Sequence, residues 1–405
     1  MAMLKNIFFV WEMGDDLGHL VSLVSLARRL VVNGIRVKIA VKDVSLIPKI
    51  YNFSHDGIEF IQSPRPATSL AQPNRQNRSL AQILNNTGFQ DFDTLNSLVS
   101  LWKTLYRLVE PDLVIFDYAP VALLAANYFD FKTIIYGSSF FIPVPGCETV
   151  DLMPWNPSAA PALRASERHS KNIVNRILSP IGRKVEYLSD LYVADAIIIK
   201  GIPLLDIYSS QRSHDSSYEL DLTGLMDTQI IDWGDSTQPK VFGYLKWRYR
   251  LTRVILEALV KLNVNANLYI SGIDDDSIAE FSGGNLTLWT QPVNDLAAAQ
   301  TADIVISHGG LGLACKAISY GTPLVIYPTQ LEQINTIYTL EKLRSARRIH
   351  ERLDANGIVK VVEEALKSSA LKERTSKLRD QINAEECLLD VFGVIDKIMS
   401  IVKIN

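Results

Sequence analysis

Apolar residues come in two rhythms along this chain, short unbroken runs and helical stripes, and the two alternate. Asn6 to Trp11 is a continuous apolar run. A polar stretch, Glu12 to Gly18, follows it, and then Leu20, Leu23, Val24, Ala27, Leu30 and Val31 fall on one helical face. Gly34 closes that helix and Val37 to Val41 begins another apolar run. Strand, loop, helix, strand is a βαβ unit, and its strands must run parallel. Further short runs at Leu113 to Phe116, Thr133 to Tyr136 and Ala196 to Ile199 predict strands buried on both faces, so the first half reads as an open α/β sheet.

Two irregular segments interrupt this half, Ser63 to Asp91, rich in Asn, Gln and Ser, and Ile142 to Ser158, rich in proline. Long loops in a compact domain are usually functional, which makes both candidates for facing a substrate; surface insertions without a role are the alternative. A polar stretch without periodicity, Ser209 to Lys240, separates this half from a second set of strands at Val241 to Leu245, Asn267 to Ser271, Ile304 to Ser307 and Pro323 to Tyr327. The expected division is therefore a domain over 1–225, a second over 226–382, and a last amphipathic helix, roughly Ala384 to Val402, within 383–405. Two such sheets would leave a cleft at the carboxyl ends of their strands.

With 405 residues, 47% hydrophobic and 21% charged, the chain is long enough for two or three well-cored domains. A net charge of −3, with lysines and arginines spread along the chain, favours neither nucleic acid nor an anionic membrane, so a small-molecule partner is expected. The three cysteines, Cys147, Cys315 and Cys387, lie far apart and suit reduced thiols in the cytoplasm. The first apolar run ends too early for a signal peptide, and no stretch reaches the roughly 18 apolar residues of a membrane span.

The chemistry concentrates in SHGGLGLACK, Ser307 to Lys316. Ile304 to Ile306 end a buried strand, and Leu311, Ala314, Cys315 and Ile318 make the apolar face of a helix, so His308 to Gly310 is a strand-to-helix turn. Amides at a helix N-terminus suit an anion, and glycines let an oxygen approach the backbone; tight packing alone could also explain them. Downstream, Glu332 and Gln333 would project an acid and an amide from a loop after a strand, suited to sugar hydroxyls or simply to solvent.

The whole stretch ISHGGLGLACKAISYGTPLVIYPTQLEQ resembles the nucleotide-sugar signature of the family 1 and MurG-like glycosyltransferases of the GT-B fold. That family's pattern is His-Gly-Gly, a helix, Gly-x-Pro, then Asp or Glu before Gln. At the other end, WEMGDDLGHLVSLVSLARRL is similar to the family's Gly-His-Leu turn opening the first helix. Near the middle, YGSSFFIPVPG resembles the segment lining its acceptor pocket, which brings in Phe141 and Pro143. The resemblance implies two Rossmann-like α/β domains facing a central cleft, with a C-terminal helix crossing back to the first. It also implies an inverting glycosyltransferase, a hexosyltransferase using a UDP or dTDP sugar and needing no bound metal or other cofactor.

Carried over to this sequence, the resemblance makes His19 the base and Asp117, ending LVIFD, the residue that orients it. A base must take the acceptor's proton, and an imidazole's ordinary pKa of about 6.5 suits that task. His308 would stand at the donor diphosphate with the amides of Gly309, Gly310, Gly312 and Leu313 around its oxygens, and Glu332 and Gln333 on the sugar. Ser271, Gly272, Trp289, Pro292 and Val293 complete the expected donor site, with Trp289 stacking on the base or packing in the core. Asp15 and Asp16 stand where relatives often have glycine, as acceptor contacts or a solvated pair; Asp274 to Asp276 reads as a surface turn in preference to a metal site.

Two departures are notable. Leu313 replaces the usual Ser or Thr, and Lys316 replaces a glutamate that holds ribose hydroxyls, so a 2′-deoxy donor, with Lys316 on a phosphate, becomes a natural expectation. Two alternatives stay open: a catalytically degenerate protein that only binds a nucleotide sugar or a partner protein, and a nucleotide-sugar epimerase.

Overall fold

A computed structural model describes residues 5–14, 17–51, 57–65, 77–153, 155–156, 160–213, 216–222 and 228–403. Asp15 and Asp16 lie outside the described residues. The chain divides into two compact units, one of Met1–Lys200, Tyr208–Glu219 and Leu389–Asn405, the other of Gly201–Ile207 and Leu220–Leu388. The linker is thus not a single crossing. The short segment Gly201–Ile207 packs with the second unit before the chain returns to the first.

The first unit holds strands β1 (Asn6–Trp11), β2 (Arg36–Val41), β3 (Ile58–Gln62), β4 (Leu113–Asp117), β5 (Lys132–Ser138), β6 (Ala196–Lys200) and β7 (Ser217–Glu219). The second holds β8 (Lys240–Lys246), β9 (Asn265–Ser271), β10 (Leu286–Trp289), β11 (Ile304–Ser307), β12 (Leu324–Ile326) and β13 (Ala346–Arg348). A two-residue strand, β14 (Leu388–Leu389), completes the first sheet.

The sheet orders are β14-β7-β6-β5-β4-β1-β2-β3 and β10-β9-β8-β11-β12-β13. Neighbours from β1 to β7 and from β8 to β13 pair in parallel. All six residues of β1, and β4 throughout, are buried, which is why these central strands read as uninterrupted apolar runs. In each sheet the strand order reverses once, between β1 and β4 and between β8 and β11. At such a point the loops leaving the two strands diverge and open a crevice at their carboxyl ends.

Strands β3, β7, β10 and β13, at or next to the sheet edges, escaped the periodicity reading. They are short, at three to five residues, and most are half exposed, so they lack a continuous apolar signature. The last helix is also shorter than its stripe suggests, Val391–Lys403, because the chain first breaks to form β14. Val391, Val394, Ile395 and Ile398 join the first unit's core beside Leu20, Leu23 and Leu30 of helix Leu17–Val32.

Gly243, in central strand β8, shows how closely the second sheet is packed. A Cβ there would stand 2.6 Å from Cδ2 of the fully buried Leu268. We expect Gly243→Ala to lower stability by about 1–3 kcal/mol, the usual cost of overpacking. A drop in urea midpoint at unchanged m-value would show it.

Candidate functional site

His19 and Asp117 reach one place from opposite ends of the first unit's sequence. β1 and β4 are neighbours in register, with Trp11 opposite Asp117, so the helix after β1 and the last residue of β4 meet at the reversal of strand order. Nδ1 of His19 lies 2.9 Å from Oδ1 and 3.0 Å from Oδ2 of Asp117, whose side chain is wholly buried. A carboxylate is an acceptor only, so Nδ1 carries a proton and Nε2 is the nitrogen turned away from Asp117. The ring is stacked on Trp11 at 5.5 Å and 18° and lies 6.1 Å from Phe141.

Gly14 makes room for it. A Cβ on Gly14 would fall 2.4 Å from His19 Nε2, and its φ of +92° is one that glycine adopts without strain. Phe141 is drawn into the group by stacking on Tyr118 at 3.5 Å, whereas Pro143 is buried two residues on, after Ile142, whose carbonyl accepts from Arg212.

Sequence reasoning passed over Glu12. Its carboxylate accepts from Trp102 Nε1 at 2.5 Å, Val121 N at 2.8 Å and Ala122 N at 3.2 Å, and burial pushes its pKa up to about 8 against those three bonds. An acid at the start of a chain's first strand–helix loop carries no local signal of contact with a segment more than a hundred residues away.

In the second unit, helix Leu311–Tyr320 starts at the other reversal point, on Gly310 as N-cap without a side-chain cap. Its first-turn amides, from Leu311 to Leu313, have no partner within the helix, and exposed Gly310 and Gly312 leave their approach open. Gly309 differs: its amide already donates to Ser307 Oγ at 3.1 Å, and a Cβ would stand 2.8 Å from Ile326 Cγ2. It shapes the turn.

His308 is held on both sides of its ring. Nε2 accepts from the Lys246 amide at 3.0 Å and Nδ1 faces the Tyr327 carbonyl at 3.0 Å, so the imidazole is neutral and both nitrogens are engaged with backbone. It pins β8 to the ends of β11 and β12, and a direct ring contact to a diphosphate would require giving up one of these bonds. Lys316 is paired too. It is 9% exposed, and its Nζ lies 2.8 and 3.0 Å from the two carboxylate oxygens of Asp295.

Leu313 and Val293 turn their side chains into the core and can offer only backbone groups. Gln333 is buried, and its Oε1 accepts from Thr329 N at 2.8 Å and Thr329 Oγ1 at 2.9 Å, which leaves only its Nε2 donors for a sugar; Glu332 lies beside it in the same first helical turn, half buried. Trp289 donates from Nε1 to Asn267 Oδ1 at 3.0 Å and stands in register with Tyr269, which stacks on Tyr244. Ser271 and Gly272 end β9, Gly272 exposed at φ +77°, and Pro292 is exposed beside Val293. Asp274 caps helix Asp275–Phe281 by accepting from Ser277 N at 2.8 Å, which accounts for the acidic run. Among the described residues no three His, Cys, Asp or Glu side chains gather as a metal site would need. No described helix is long and apolar enough to cross a membrane.

No protein-family profile and no curated protein matches the sequence. Solved structures do match over the whole length. The calicheamicin glycosyltransferase CalG4 superposes with a TM-score of 0.72 at 14% identity, over 99% of this chain and 98% of its own. The glycosyltransferase of kitacinnamycin gives 0.69 at 18% identity, over 98% and 99%. VinC, a glycosyltransferase solved in complex with dTDP, gives 0.64 at 14% identity, over 99% and 100%. The chain has the GT-B glycosyltransferase fold. Both constellations therefore lie at the strand-order reversals of a GT-B chain, one in each unit.

The Lys316–Asp295 pair has a measurable weight. Removing one partner of a fully enclosed ion pair costs about 3–5 kcal/mol; here the side chains are 11% and 23% exposed, so solvent screening lowers the expected cost of Lys316→Met to about 1–3 kcal/mol. The double variant Lys316→Met, Asp295→Asn should recover much of the loss in a urea titration.

Proposed function

We propose that the protein is an inverting, metal-independent glycosyltransferase that moves a sugar from a UDP or dTDP donor to an acceptor hydroxyl. The observation that carries this reading is the hydrogen bond of His19 Nδ1 to the buried Asp117 at a reversal of strand order. It leaves Nε2 as a base. Nε2 takes the acceptor's proton as the hydroxyl oxygen bonds to C1 of the sugar and the bond from C1 to the diphosphate oxygen breaks on the opposite face. One displacement inverts the configuration at C1. Asp117 steadies the imidazolium, as a buried carboxylate does for a catalytic histidine.

The departing diphosphate is assigned to the first-turn amides of helix Leu311–Tyr320, where fixed N–H dipoles meet the charge as it develops. This division gives proton transfer to the first unit and donor binding to the second. A dTDP complex of VinC supports a nucleoside diphosphate as the ligand type, and the names of the kitacinnamycin and calicheamicin enzymes support an acceptor larger than water. Lys316 has no acceptor to offer a ribose, whereas Asp295 does; we therefore assign the ribose hydroxyls to Asp295, which keeps ribo and 2′-deoxy donors both in play. Three free cysteines support a reducing, cytoplasmic setting.

The reading is tested by donor hydrolysis and transfer across UDP, dTDP and GDP sugars, in EDTA, for wild type and His19→Ala. Loss of the base should lower kcat by about 10²- to 10⁴-fold with little change in donor affinity. A wild-type protein that binds a donor yet neither hydrolyses nor transfers it would overturn the enzyme reading, and abolition of turnover by EDTA would overturn the metal-free mechanism.

A further inference from the structure

Glu12 belongs to neither constellation, yet it touches both segments that form the first one. It follows β1 directly, on the loop that leads through Gly14 to His19. Its oxygens accept from Val121 N and Ala122 N, at the start of helix Pro120–Ala126, which begins just after Asp117 and Tyr118. That helix has Ala119 as N-cap, with no side chain able to accept, and Pro120 at its first position. The cap that a Ser or Asp at position 119 would supply locally comes instead from the other loop.

A second bond runs alongside, from Met13 N to the Tyr118 carbonyl at 3.1 Å. Tyr118 holds a φ of +47°, a left-handed conformation that costs a residue with a Cβ and persists only where its surroundings impose it. Trp102, fully buried and packed at 6.3 Å from Phe8 of β1, gives the third hydrogen bond and fixes Glu12 against the core. The carboxylate thus ties the His19 loop, the Asp117 loop and helix Phe92–Val109 at one point.

We propose that Glu12 is a positioning residue for the His19–Asp117 pair: by capping helix Pro120–Ala126 from the β1 loop, it sets the separation and orientation of imidazole and carboxylate. The inference rests on the proposed catalytic reading for its kinetic consequence only. The geometry it predicts at His19 is measurable without turnover.

Glu12→Gln keeps the shape but replaces one accepting oxygen with an NH₂ group facing N–H donors, so one of the three bonds is lost and the helix start is pushed away. Imidazole ¹⁵N spectra of His19, read at one pH above the Glu12 value of about 8 so that the wild-type group is the carboxylate, should move from the Nδ1–H tautomer toward an average of the two. kcat should fall about 10- to 100-fold, the range expected of a small misplacement of reacting groups, while donor KM stays within about twofold. Trp102→Phe removes the third donor without touching the cap. On its own it keeps both bonds to the helix, so it should leave the wild-type His19 spectrum in place.

Should Glu12→Gln fail to fold, the milder Glu12→Asp, whose shorter side chain withdraws the cap, carries the same readouts. A folded Glu12→Gln protein with unaltered His19 resonances would overturn the proposal and leave Glu12 as a helix cap alone. If the wild type shows no transferase activity, the ¹⁵N result still decides the positioning role, and only the catalytic reading falls.

Discussion

A carboxylate with no solvent exposure, Asp117, sits at the end of a buried parallel strand, and the first unit is arranged around keeping it tolerable. Burying a charge costs several kcal/mol unless hydrogen bonds answer it. Its answer is His19, brought from the neighbouring strand's loop, and the geometry of that bond depends on everything that fixes the two loops relative to each other. Gly14 leaves space at Nε2, Trp11 stacks beneath the ring, and Gly137 lets the backbone pass close to Asp117, where a Cβ would stand 3.2 Å from Oδ1. Each is a condition on position, none a source of chemistry.

The second unit applies the same logic to a different task. Reversal of strand order between β8 and β11 opens a crevice, and His308 bridges it with both ring nitrogens, holding the turn that presents the amides of helix Leu311–Tyr320. The two histidines that stand out in the sequence therefore do opposite things. His19 has a nitrogen to spare, and His308 has none left for a ligand without losing a backbone partner. Their sequence surroundings, a glycine next to a histidine at a strand–helix turn, are alike. Only the partners distinguish them.

Buried polar pairs do comparable work elsewhere. Lys316 and Asp295 neutralise each other between helices Asp295–Thr301 and Leu311–Tyr320, and Gln333 folds its carbonyl back on Thr329. Side chains that motif reading sends toward a ligand thus have first to satisfy neighbours in the fold, and what remains for a ligand is what those neighbours leave.

The sequence alone determined the α/β alternation, the central strands and the strand–helix turns, because these follow from unbroken apolar runs and local spacing, whereas His19 and Asp117, 98 positions apart, were paired only through the resemblance to a family. Edge strands such as β3 and β13 were not legible, since a short half-exposed strand has no period of its own. Glu12 and Asp295 were not legible either. Their roles come from segments 109 and 21 positions away, Val121 and Lys316, which only the tertiary structure brings within hydrogen-bond reach. A sequence states which groups can donate or accept, and the fold decides which of them have already found a partner.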